Sequence, residues 1–166
     1  GDEDYFKLQI TKPGEELVFE NAAMRIGSGL QPVVSILSED GAVLKQYGMD
    51  SPASAAVFAH RFEKPGTYYI RITDFQMSGR ASNFYRYKVG KFAVAKEVYP
   101  LGVRKGASQQ VAVSGPGIGS GKVVVTGKPD SGMEDSLLLR PNKSFNEIRL
   151  AVGEEEEVES STTNTT

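Results

Sequence analysis

The chain has 166 residues, 39% hydrophobic and 24% charged, with a formal net charge of −2. These values fit a soluble globular protein of one or two small domains. Five glutamates sit in residues 153–166 with no lysine or arginine, which leaves the rest weakly positive, too little and too dispersed for a nucleic-acid surface. Cysteine is absent, which removes disulfides, thiolate metal sites and cysteine nucleophiles together. No apolar run reaches the ~18 residues of a membrane span, so no membrane insertion is expected. The chain begins at Gly1 without methionine, and is expected to be an excised or processed piece of a longer protein.

Taken in order, residues 4–10 alternate Phe6, Leu8 and Ile10 against Lys7 and Gln9, as a half-buried strand does. Lys12, Pro13 and Gly14 turn this strand, and residues 16–20 return with Leu17 and Phe19 inward. Residues 24–31 carry Gly27 and Gly29 and predict a bend or bulge. Pro32 then opens a strand over 33–37, Glu39-Asp40-Gly41 makes a tight turn, and residues 43–47 pair back. Residues 55–62 read as a further strand, with an alanine-rich helix over 52–62 as the alternative.

The most informative stretch is 62–91. Pro65-Gly66 suits a type II turn. Tyr68, Ile70 and Ile72 then face one way, and Tyr69, Arg71 and Thr73 the other. After the polar residues 74–83, Tyr85, Tyr87 and Val89 oppose Phe84, Arg86 and Lys88. This predicts a long antiparallel hairpin with one dry and one wet face. Beyond residue 94, Pro100 and Gly102 break the pattern. Four short strands are then expected at 109–113, 122–126, 136–139 and 145–152. The predicted organisation is all-β. It comprises an antiparallel jelly-roll-like β-sandwich over 1–94, a smaller all-β unit over 95–152 for which an Ig-like arrangement is one option, and an acidic linker or tail over 153–166.

These residues resemble a bacterial pre-peptidase C-terminal domain. The resemblance rests on Asp4-Tyr5-Phe6, residues 14–19, Gly27-Ser28, Leu30 and Pro32. It continues through Gly41, Phe62, Pro65-Gly66, Tyr68, Ile70, Ile72 and Asp74, then Tyr85-Arg86 and Val89-Gly90, and so covers roughly residues 2–91. Tyr99 to Gly102, Arg104 to Gly106 and Phe145 to Val152 are similar to the β segment that trails such domains in large multidomain exported proteins. The resemblance implies a non-catalytic module of a secreted, periplasmic or cell-surface protein. Its expected roles are adhesion, substrate attachment or domain spacing. It also implies calcium in some relatives, but Gln31 stands where the family commonly has aspartate.

Chemistry-bearing residues are few. His60 is the only histidine and sits in an alternating run without a nucleophile motif, so it reads as a structural or surface residue and no enzyme activity is expected. Residues 115–122 are glycine-rich, yet Pro116 and Val123 spoil a phosphate loop, and an inter-strand loop is expected. Asp2, Glu3 and Asp4 are the candidate metal ligands; calcium there would need Asp50 or Asp74 to converge, and no cofactor is required. Tyr69, Arg71, Phe84, Arg86 and Lys88, on the outer face of the 67–91 hairpin, are the candidate ligand face. It suits an extracellular polysaccharide or protein, or packing against other domains of the parent protein. Asn142 and Asn164 open sequons that carry no meaning in a bacterial protein.

Overall fold

The computed structural model describes residues 2–141 and 144–155, and the sequons at Asn142 and Asn164 and the tail beyond Glu155 lie outside them. The chain is all-β, and it divides into two compact units, residues 1–92 and 93–166.

Among the described residues the first unit has seven strands: β1 (Glu3–Ile10), β2 (Glu15–Asn21), β3 (Pro32–Leu37), β4 (Val43–Tyr47), β5 (Val57–Phe62), β6 (Gly66–Asp74) and β7 (Tyr87–Gly90). They form two antiparallel sheets, ordered β1-β6-β3-β4 and β5-β2-β7. Each strand sends alternate side chains inward, and the two inner faces meet in one core. The first sheet supplies Ile10, Val34, Ile36, Ile70 and Ile72, and the second supplies Leu17, Phe19, Phe58 and Phe62. Aromatic rings tie the layers together: Tyr47 of β4 stacks on Phe58 of β5 at 3.7 Å between centroids, and Phe58 stacks on Phe19 of β2 at 4.8 Å. The sandwich and the inward set Ile70 and Ile72 therefore follow the sequence reading.

The connectivity does not. Residues 62–91 do not form a hairpin, because β6 pairs with β1 and β3 in one sheet while β7 pairs with β2 in the other. Likewise β1 and β2, read as a turn and return, lie in opposite sheets. Alternation is a property of a single strand and carries no record of its partner, so adjacent strands were paired by default. Gly66 has φ 153°, well away from the roughly +80° of a type II turn, and Pro65-Gly66 instead feeds the chain from one sheet to the other. Only β3 and β4 make the hairpin expected between neighbours, with a bulge at Ile36/Leu37. Pro52–Ala55 is a short 3-10 turn, opened by Ser51 Oγ accepting from the Ala53 amide, and the strand begins at Val57 rather than Ala55.

The second unit adds β8 (Glu97–Tyr99), β9 (Gly102–Arg104), β10 (Ser108–Gly115), β11 (Gly119–Thr126), β12 (Ser136–Leu139) and β13 (Ile148–Gly153). Its two sheets are ordered β11-β10-β8 and β12-β13-β9, with β13 and β9 parallel. Val103, Val111, Val113, Val125, Leu137, Leu150 and Val152 fill its core. The three-residue strands β8 and β9 flank Pro100 and are too short to show a period, so the sequence reading passed over them. The glycine-rich run is the β10–β11 hairpin: Gly115 pairs with Gly119 around Pro116, Gly117 and Ile118, and no helix follows. Gly115 is demanded by packing, because a Cβ there would lie 2.1 Å from the Val94 carbonyl oxygen.

Strand β6 sets the first unit's register, so Ile70→Asp should cost about 3 kcal/mol or more, combining ~1.5–3 kcal/mol of lost burial with an unpaired buried charge. Arg71→Ala, one residue away on the opposite face, should cost about 1 kcal/mol at most. Urea midpoints measure both, and the reverse ranking would mean that the register is one residue out.

Candidate functional site

The outer face of the β1-β6-β3-β4 sheet carries the residues out of phase with its core. Here β1 presents Tyr5 and Lys7, and β6 presents Tyr69 and Arg71. The register sets Tyr5 opposite Arg71 and Lys7 opposite Tyr69, so two aromatics and two cations alternate around a square. Side chains directly opposite in an antiparallel pair lie within contact range of one another. On the β3 side, Leu37 forms a buried floor and exposed Val43 a rim. Tyr5, Leu37, Asp40, Val43, Tyr69 and Arg71 line a shallow cleft of about 440 Å³.

The polar groups of this cleft are unevenly satisfied. Arg71 donates through Nη2 to Ser35 Oγ at 3.4 Å, and its buried Nε has no hydrogen-bond partner among the described residues. Ser35 is fixed from its other side by Gln46 Nε2 at 3.1 Å. Asp40 is tied to its own turn: its Oδ1 accepts from Ser38 Oγ and, at 3.5 Å, from the Ala42 amide. The Ser38 bond, with help from the Ala42 amide, holds the Asp40 carboxyl below the usual aspartate value. Tyr5 donates its hydroxyl to Glu3 Oε2 at 2.7 Å.

Of the five residues expected on one ligand face, the structure brings only Tyr69 and Arg71 together. Phe84 and Arg86 lie on the run entering β7, where the Phe84 amide donates to Ser28 Oγ at 3.1 Å and the Arg86 carbonyl accepts from the Ala22 amide at 3.0 Å. Lys88 lies in β7, its ammonium 4.3 Å from the Phe92 ring centroid. The expected face is split because β6 and β7 belong to different sheets. Tyr5, Leu37, Asp40 and Val43 replace the missing half, and sequence reasoning did not select them. Tyr5 had the correct phase in its own strand, but its pairing with Arg71 spans most of the unit.

The three metal candidates are divided between the two faces of β1. Alternation along β1 sends Glu3 outward to Tyr5 and Asp4 to the opposite face, where Tyr85 Oη donates to Asp4 Oδ2 at 2.5 Å. Burial, then this bond to Asp4, pushes the Tyr85 hydroxyl well above the ordinary tyrosine range. Asp2, Asp4 and Asp74 do share a second cleft of about 480 Å³. Among the described residues, however, no three His, Asp or Glu side chains group so as to hold a metal ion.

Asp74 is engaged instead in the excursion over residues 75–83. Its Oδ1 accepts from the Gln31 amide at 3.1 Å, and its Oδ2 accepts from the Ser78 amide at 3.0 Å and Asn83 Nδ2 at 3.2 Å. Burial acts to raise this carboxyl, but the bonds from Ser78, Gln31 and their neighbours outweigh it and the net shift is downward. His60 is half-buried on β5, 3.1 Å from the Tyr47 hydroxyl through Nδ1 and edge-on to Phe62. Burial, then the Lys45 charge, holds it below the usual histidine value.

Compared with known proteins, the chain matches no family model, and neither curated proteins nor solved structures show a match.

Because the folded Asp74 carboxyl lies below its unfolded value, its contribution is complete above pH ~4 and lost as pH falls through the lower folded value. The urea midpoint of Asp74→Asn should therefore lie below that of the unaltered chain at pH 7, and the gap should close below about pH 4. A gap independent of pH would contradict this role.

Proposed function

We propose that this chain is a non-catalytic attachment module of an exported bacterial protein, which holds its parent to a polysaccharide through the Tyr5–Tyr69–Arg71 cleft. The observation that carries this reading is the pair of tyrosines, Tyr5 and Tyr69, that line one cleft on the sheet's outer face beside the Arg71 guanidinium. Among the described residues neither ring stacks on another aromatic, and Tyr5 is exposed while Tyr69 is partly exposed. Tyrosine offers a rigid amphipathic surface at low entropic cost, and sugar rings present apolar C–H faces that suit it. The cleft volume falls within the ~300–1,000 Å³ typical of small-ligand sites, which is ample for one or two sugar rings along a polymer.

The resemblance to pre-peptidase C-terminal domains supports the same class of role, since such modules accompany catalytic domains without reacting themselves. It also supports a secreted, periplasmic or surface location and further domains in the parent protein. Calcium has weaker support, as Asp74 is committed to its own loop and Glu3 is turned away from Asp4.

The test is retention of the 166-residue chain on insoluble polysaccharides, with fibrillar collagen as the protein alternative. Retention on at least one polysaccharide is expected, and Tyr5→Ala and Tyr69→Ala should each weaken it about tenfold, equivalent to ~1.4 kcal/mol. Phe84→Ala should bind as the unaltered chain does. Binding unaffected by either tyrosine substitution, retention on collagen alone, or no retention at all would overturn the proposal.

A further inference from the structure

We propose that two copies of this chain associate in solution through β1, antiparallel about a two-fold axis at Tyr5, so that their four-stranded sheets join into one. The association rests on the strand edge and is independent of the attachment reading above.

β1 is the outermost strand of its sheet, and among the described residues it pairs with β6 alone. Its other edge presents main-chain donors and acceptors that no main-chain group among those residues satisfies. Folded proteins blunt such edges with proline, a bulge or shortness. β1 has none of these: it is eight residues long, lacks proline and runs against β6 without a register shift. Its side chains are also poorly covered. Phe6 has the inward phase of Leu8 and Ile10, yet it is 48% exposed, and Tyr5 on the other face is 54% exposed. An apolar inward residue left open to water marks an edge that another strand would cover.

Charge selects the occupant. Besides β1, the edge strands are β4, β5, β7, β8, β9, β11 and β12, and among all of these only β1 carries both acids and a base, Glu3, Asp4 and Lys7. A strand that pairs with a copy of itself and keeps its faces in common must place one residue on the axis. With Tyr5 on the axis, Glu3 lies opposite the partner's Lys7 on each side of a Tyr5–Tyr5 pair, all on the outer face. An axis at Asp4 sets carboxylate against carboxylate, and one at Lys7 sets ammonium against ammonium. An axis at Phe6 leaves Glu3 opposite Gln9 and Lys7 opposite Tyr5, with no ion pair. Opposite charges directly across an antiparallel pair stabilise it and like charges oppose it, so the Tyr5 register is the one that fits. Glu3 can serve it, because the Tyr5 hydroxyl occupies only Oε2. On the inner face Phe6 then lies diagonal to the partner's Phe6, within the reach of aromatic side chains.

Sedimentation equilibrium of the full chain tests this. A monomer–dimer equilibrium is expected, with a dissociation constant on the order of 10–100 µM, as suits a small edge contact. Lys7→Glu and Glu3→Lys each set like charges opposite one another twice, and each should weaken the dimer about tenfold or more while melting curves show the variants folded. The double variant Glu3→Lys/Lys7→Glu restores both pairs in inverted order, and its dissociation constant should return to within about threefold of the unaltered value. A chain that stays monomeric at about 1 mM would overturn the proposal. Single variants that dimerise as the unaltered chain does, or a double variant no better than the singles, would overturn it as well.

Discussion

Strand β6 is packed on both sides by neighbours in its own sheet, and this placement obliges its two faces to live in different media. Ile70 and Ile72 are drawn into the core by the aliphatic and aromatic side chains of the opposite sheet. Alternation then leaves Tyr69 and Arg71 no option but the outer face. The core and the cleft are therefore two sides of one constraint. A register slip that emptied the core would bury the cleft's cation, so the apolar side protects the geometry of the polar side.

The partners of β6 determine what that outer face contains. β1 contributes the second tyrosine and second cation by pairing antiparallel in register, and β3 contributes a buried floor at Leu37 and a hydroxyl at Ser35. The β3–β4 turn then raises Asp40 at the cleft's edge, held there by Ser38. All of these supports are main-chain ladders or short local bonds, so the cleft is preorganised on strands rather than on a long loop. The longer excursion over 75–83 is itself tied down through Asp74, whose carboxylate accepts from Gln31, Ser78 and Asn83.

Much of this was legible in the residues. The strand phases of β1, β3 and β6, the turn at residues 39–41 and the start of β3 at Pro32 follow from alternation and turn chemistry. The inward isoleucines and the outward Tyr69 and Arg71 followed with them. Partnership was not legible, because a run such as 84–89 alternates in the same way whether it joins β6 or β2. The error in pairing therefore cost three of the five expected face residues, Phe84, Arg86 and Lys88, and hid Tyr5, whose neighbours in space are remote in sequence. The parallel pairing of β9 with β13 was hidden for a further reason, since three residues cannot display a period.

The most direct measurement is a nuclear Overhauser map of the labelled chain across β6. The account requires cross-strand contacts joining Tyr5 to Arg71 and Lys7 to Tyr69 on one side, and Ser35 to Arg71 on the other. A ladder joining residues 68–73 directly to 84–89 would contradict it, because β6 would then leave the sheet position on which both core and cleft depend.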